Sequence, residues 1–127
     1  MEPRCKLWLE HDDRLAMSDY RARLLSAIAE TGSLSAAAQR LDLSYRRAWG
    51  KVRELERHLG LPLVESEAGG AGGGGSRLTA EGAEFVRRYT QFAEDARRAI
   101  AALYDDAFNA PTPTDPATLR SDRPGPR

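Results

Sequence analysis

The chain has 127 residues, with 19 Lys and Arg against 19 Asp and Glu and a formal net charge of zero. That length holds one small domain with flanking pieces, and the charge balance excludes a polycation, so any nucleic-acid contact must rest on local charge. A single cysteine, Cys5, excludes an internal disulfide and a cysteine zinc site; with no signal peptide and no apolar run as long as a membrane span, a cytoplasmic protein without membrane association is expected.

Residues 4–11 (RCKLWLEH) alternate, with Leu7 and Leu9 on one side and Lys6, Trp8 and Glu10 on the other. This predicts a short N-terminal strand, paired with a later strand or with a partner chain. Trp8 is read as packing over an apolar surface. Residues 17–30 predict a helix capped by Ser18, with Tyr20, Leu24, Leu25, Ile28 and Ala29 on its apolar face and Thr31-Gly32 at its end.

Residues 31–60 hold the chain's organising stretch, TGSLSAAAQRLDLSYRRAWGKVRELERHLG. A short alanine-rich helix follows Ser33, the turn Asp42-Leu43-Ser44 breaks it, and a second helix runs from Tyr45 to Leu59 before Gly60. A short helix, a three-residue turn and a basic second helix make a helix-turn-helix. At about 100° per residue, Ala48, Val52, Leu55 and Leu59 share a core stripe. Arg46, Gly50, Arg53 and Arg57 lie opposite, with Arg47 and Lys51 on a flank. An apolar back and a cationic front suit a groove reader; an ordinary solvated helix face is the competing reading. Gly50 costs about 1 kcal/mol of helix propensity relative to Ala, which close approach to a phosphate or base edge would justify. Trp49 is read as packing. Tyr45 fits equally a packed ring or one lying against the sugar-phosphate.

Pro62 stops the helix, and residues 63–66 and 77–78 predict a two-stranded wing around a long glycine tip, with a flexible linker as the alternative. The tip lacks the ending of a phosphate-binding P-loop. Residues 79–108 predict one long helix capped by Thr79. Along it Gly82, Phe85, Tyr89, Phe92, Ala96, Ala99 and Leu103 recur in three- and four-residue steps, a heptad seam. About 30 residues span about 45 Å, more than so small a domain covers, so a second copy is expected along Phe85, Tyr89, Phe92, Ala96, Ala99 and Leu103. Residues 109–127, rich in proline, predict a disordered tail. His11 and His58 lack ligand spacing, and no nucleophile elbow or metal-binding helix motif is present, so no enzyme activity, metal or cofactor is expected.

Residues 24–85 resemble the winged helix-turn-helix shared by the LysR-type regulators and the ModE family of molybdate-responsive regulators. GSLSAAAQRL, Ser44, VRELERHLG, and Leu78 with Gly82 and Phe85 carry the common pattern. SYRRAWGKV, with Ser44-Tyr45 and Ala48-Trp49, and LVES followed by GGAGGGGSRLT are similar to ModE in particular. The likeness covers about residues 5–108. It departs at Ser66 and Ala71, where the ModE pattern is basic, and Glu65 and Glu67 remain, so the wing is expected to hold phosphate more weakly. Full-length ModE continues into molybdate-binding domains where this chain has its tail. The resemblance thus implies DNA binding and dimerisation, carries over no molybdate site, and leaves any sensing to a separate effector-sensing protein.

The expected fold is mainly α: a winged helix-turn-helix over residues 1–78 with a two-stranded wing and a short N-terminal strand, a long dimerisation helix over 79–108, and the tail. The expected function is sequence-specific binding of double-stranded DNA as a homodimeric transcriptional regulator. Arg46, Arg47, Gly50, Lys51 and Arg53 are expected in the major groove, with Tyr45 beside them. Ser33, Ser35 and Ser44 are expected at phosphates, and Gly72, Gly73 and Arg77 of the wing on the flanking backbone. The alternative is a winged-helix protein-interaction module that has lost DNA binding.

Overall fold

The computed structural model describes residues 1–70 and 73–108. The described residues divide into two compact units, one of Leu7–Phe92 and one of residues 1–6 with residues 93–108. The elements in order are β1 (Trp8–His11), β2 (Arg14–Ser18), α1 (Asp19–Thr31), α2 (Leu34–Arg40), α3 (Tyr45–Leu59), β3 (Val64–Gly70), β4 (Gly73–Leu78) and α4 (Ala80–Phe108). The fold is mainly helical and has winged helix-turn-helix architecture. The expected tail and the tip residues Ala71 and Gly72 lie outside the described residues.

The N-terminal strand is half of a hairpin. β1 pairs antiparallel with β2, Trp8 opposite Ser18 and His11 opposite Arg14. The two-residue connection is Asp12-Asp13, both at positive φ (51° and 63°), the backbone a tight type I′ turn requires and one that Asp tolerates better than most residues. β2 was not expected. Trp8 does not cover an apolar surface: it is exposed, and its indole nitrogen donates to Glu10 Oε2 at 2.9 Å.

Each helix of the helix-turn-helix starts at a serine whose hydroxyl accepts an amide three residues on: Ser18 from Arg21, Ser33 from Ala36 and Ser44 from Arg47. These bonds satisfy donors that a helix leaves open at its start. α1 and α3 end on Gly32 and Gly60, both left-handed, as helix-ending glycines commonly are. Between α2 and α3 the chain turns at Asp42 (φ 57°), and the Leu43 amide returns to the Ala38 carbonyl at 2.8 Å.

The core is built from Leu24, Leu25 and Ile28 of α1, Leu34, Ala37 and Ala38 of α2, Ala48, Val52 and Leu55 of α3, and Met17, Leu63 and Tyr89. Leu59 is only half-buried, and Ala29 is exposed. Glu56, which sequence periodicity leaves among the surface acids, is buried. Its Oε2 accepts the amides of Leu63 (2.8 Å) and Val64 (3.2 Å), and its Oε1 accepts from Arg53 Nη1 (3.0 Å).

β3 and β4 form the wing, in register from Val64 opposite Leu78 to Glu67 opposite Gly75. The strands reach further into the glycine run than expected. Ser76 N donates to Gly32 O at 2.9 Å, tying the wing to the end of α1. Thr79 caps α4 as its position predicts: its hydroxyl accepts Gly82 N at 2.9 Å and donates to Pro62 O at 2.7 Å. In the other unit the Tyr104 hydroxyl donates to Met1 O at 2.8 Å, and its ring stacks on Phe108 at 5.1 Å. Among the described residues, no helix is long and apolar enough to cross a membrane.

Gly82 explains how α4 leaves the wing. A Cβ there would sit 2.3 Å from the Leu63 carbonyl oxygen and about 3 Å from its Cα, so helix and strand backbones meet where only glycine fits. Gly82→Ala should destabilise the winged unit by about 1–3 kcal/mol, the usual cost of overpacking. In a domain of this size that lowers the melting temperature by at least about 4 °C. Thermal unfolding followed by circular dichroism measures it; an unchanged melting temperature would contradict this packing.

Candidate nucleic-acid interface

α3 is the most polarised element of the fold. Its back, Ala48, Val52 and Leu55, is buried, while Arg46, Arg47, Gly50, Arg53 and Arg57 are exposed. The five expected groove residues divide into three groups. Arg46 and Arg47 stand in the first turn, exposed and with no ion-pair partner among the described residues. Gly50 faces outward one turn later, and a Cβ built on it meets nothing within 4 Å. Lys51 and Arg53 are engaged within the fold.

Lys51 is half-buried on the flank towards α1, with its Nζ 5.4 Å from the centre of the Tyr20 ring. Burial lowers its pKa, and the charges of Arg21 and Arg47 lower it further against the opposing pull of Glu54. Arg53, on the outer face, is engaged as well. Its guanidinium sits 4.2 Å over the half-buried Trp49 ring while donating to Glu56. Trp49 therefore packs within the chain, and the Tyr45 ring is exposed beside Arg46.

The serines and the wing complete the surface. The Ser33 and Ser44 hydroxyls are occupied as helix caps. Ser35 is exposed in the first turn of α2. Gly73 opens β4, and Gly72 lies outside the described residues. Arg77 donates to Glu65 across the wing at 2.9 Å, both side chains being exposed; the pair sits directly opposite in the register. The wing's described cation is thus partly neutralised by its own strand partner.

The expected seam of α4 is not open along its whole length. Tyr89 is 2% exposed, and its hydroxyl donates to Leu7 O or Asp19 Oδ1 at 3.0 and 2.7 Å. It belongs with Gly82 and Val86 to the inward face, and so offers almost no surface to a second copy. Phe85 is half-buried and Phe92 49% exposed. With Leu9 and Leu61 they line an apolar groove of about 630 Å³. On its rim, hydrogen bonds from Arg87 and Arg88 lower the pKa of Glu84 to about 2. Further along the helix Ala96 is half-buried, Ala99 exposed and Leu103 67% exposed.

Sequence reasoning missed Glu56. Its signal was present: an acid about 80° from Ala48 on the helix wheel, within reach of the buried back. No group of three or more potential metal ligands occurs among the described residues.

Residues 21–83 match the bacterial regulatory helix-turn-helix proteins of the lysR family. The chain is 34% identical over 108 residues to the transcriptional regulator ModE of Yersinia pestis, covering 85% of this chain and 41% of that protein. It is 42% identical over 73 residues to the molybdenum-pterin-binding protein MopB of Rhodobacter capsulatus, covering 58% of this chain and 27% of that one. It spans well under half the length of these relatives. Among solved structures, the DNA-binding domain of CbnR in complex with DNA superposes with a TM-score of 0.56 at 29% identity, over 72% of this chain and all of that one. The matched family is one of regulators rather than enzymes, and the matched segment is the one that holds α1 to the start of α4. Through residues 21–83, the chain belongs to the LysR/ModE family of winged helix-turn-helix DNA-binding domains.

Proposed function

We propose that the chain binds double-stranded DNA sequence-specifically, as a homodimer, and regulates transcription in the cytoplasm. The observation that carries this reading is the exposed side of α3, where Arg46, Arg47 and Gly50 have no packing role inside the chain. Arginines in the first turn of a recognition helix reach base edges, and a bidentate contact to guanine is the commonest specific one. Ser33, Ser35, Ser44, Gly73 and Arg77 flank that face as backbone contacts.

A winged-helix interaction module without DNA binding is the competing reading. It draws on Arg53 and Arg77 being occupied by Glu56 and Glu65. A gel shift with duplexes selected from random sequence separates the two, because the module would retain none.

For Arg46→Ala and Arg47→Ala, the ratio of specific to non-specific affinity at fixed salt should fall by the equivalent of about 1–3 kcal/mol for each bidentate base pairing removed. If both variants keep the full ratio, the reading face lies elsewhere.

Gly50 gives a second test with opposite signs. Ala there meets open space and gains helix propensity, so Gly50→Ala should stabilise the free protein by about 0.5–1 kcal/mol. The same methyl group stands between α3 and the groove, so affinity for the selected duplex should drop at least severalfold. Unfolding curves and a binding isotherm on one preparation measure both.

Dimerisation runs along α4, through Phe85 and Phe92 with Ala96, Ala99 and Leu103. Two copies would read a palindrome with half-sites about 34–36 Å apart, or a multiple of that. The support is the apolar groove and the exposure of the large apolar side chains of Phe92 and Leu103. Phe92→Asp would bury an unpaired carboxylate at the interface, at a cost of several kcal/mol. The winged unit should survive, since Phe92 is half exposed. Sedimentation should show a wild-type dimer and a folded monomeric variant; a wild type monomeric at tens of micromolar would remove the dimer.

A further inference from the structure

Beside α3, on the flank away from the wing's attachment, positive charge accumulates around one aromatic ring. Tyr20, in the first turn of α1, has Arg21 Cζ 5.9 Å, Arg23 Cζ 5.6 Å and Lys51 Nζ 5.4 Å from its centroid. Arg47 adds its charge to Lys51 from one turn earlier in α3. Against these four cations stands Glu54, 3.6 Å from Arg21 Nη2. Arg21 is held in place, its side chain 15% exposed, and its Nε is buried with no acceptor. Arg23 is exposed.

Such a cluster is costly in the free chain. Like charges repel, the ring quadrupole offsets only part of that repulsion, and a buried N–H without an acceptor is uncommon. The position supplies a reason. Lys51 and Glu56 lie about 140° apart around α3. Glu56 holds the first residues of the wing, whereas Lys51 faces α1. A helix lying in the major groove runs between two phosphate walls, and the wing serves one of them. The cationic ledge stands over the other.

We infer that Arg21, Arg23 and Lys51, gathered around Tyr20, form a second phosphodiester-binding surface that grips the DNA backbone on the side of the recognition helix opposite the wing. This rests on the DNA-binding reading above. The ligand is the phosphate group of duplex DNA, taken without regard to base sequence. Arg23 makes the outer contact, Lys51 the inner one, and Arg21 positions the ring and supplies field. A bound phosphate would relieve the mutual repulsion at Lys51.

The test is the salt dependence of binding. Each phosphate contact contributes about 0.9 to the slope of log affinity against log salt. Wild type, Arg23→Gln, the double variant Arg23→Gln/Lys51→Gln, and Arg14→Gln would be titrated with a selected and an unrelated duplex between 50 and 200 mM salt, with melting curves confirming that all four are folded. Arg14→Gln removes the same charge from the N-terminal hairpin. Removing one ledge cation should reduce the fall in affinity over that range by about 3.5-fold. The reduction should be equal on both duplexes, leaving the specificity ratio intact, and Arg14→Gln should behave as wild type. Slopes unchanged in both ledge variants, or an equal change in Arg14→Gln, would overturn the ledge while leaving the DNA-binding reading standing. A wild type that binds neither duplex would overturn that reading and the ledge with it. Inorganic phosphate titrated without DNA is the last arm: saturable binding abolished in Arg23→Gln, with DNA slopes unchanged, would make the ledge a free-anion site instead.

Discussion

The winged unit depends on one buried carboxylate. Glu56 projects from the recognition helix into the start of the wing and accepts two consecutive amides, those of Leu63 and Val64. Those amides lie where the chain leaves the helix and enters the ladder at Val64, and Glu56 is the acceptor that both of them find there. A carboxylate accepting two main-chain N–H groups and one guanidinium N–H is well satisfied, which offsets the cost of removing it from water. Leu63 is then used three times. Its amide is held by α3, its carbonyl accepts Thr79 N at 2.9 Å, and its backbone lies against Gly82. Recognition helix, wing and α4 therefore meet at a single residue, and none of the three shifts without the others.

The same economy governs the cations of α3. Two of them are drawn into the fold, Lys51 on one flank towards Tyr20 and Arg53, from the outer face, over Trp49. Arg46 on the outer face and Arg47 on the flank are left to solvent. The helix wheel sets Arg46, Arg53 and Arg57 on one side and Arg47 and Lys51 on a flank, which is not the division the fold makes. The tertiary fold sorts them, because a long side chain at the edge of a buried stripe lays its methylenes on neighbouring apolar surface and keeps its charge where an aromatic face or a carboxylate receives it.

This sorting marks what sequence alone reveals and what it does not. Helix starts, helix ends and the helix-turn-helix were legible because they rest on local chemistry: serines as caps, glycines at left-handed positions, apolar residues at helical spacing. The N-terminal hairpin was half legible. Alternation revealed β1, but the turn is Asp-Asp rather than a glycine-bearing pair, and charge disguised its backbone role. Nothing local settles that Glu56 is buried, because what decides its place is the two amides it meets seven and eight residues on. On α4 the three- and four-residue spacing held, but spacing gives the existence of an apolar stripe and not what covers it. Gly82 and Tyr89 turned out to serve the winged unit itself, so the stripe open to a partner is narrower than the periodicity implies.

The closure of the wing at its base has a consequence for how this scaffold changes over evolutionary time. The excursion from Leu63 to Thr79 begins and ends at one backbone hydrogen bond, so it is a loop with pinned ends. The entropy of closing such a loop grows only with the logarithm of its length, and doubling it costs about 0.6 kcal/mol. Residues inserted at the tip are therefore thermodynamically almost free, whereas one inserted between Glu56 and Leu63 would misplace the carboxylate from both its amides. Length variation among chains built this way should collect at the far end of the wing. Reach along the flanking duplex is the property most easily altered, and the spacing from reading helix to wing base the one held constant.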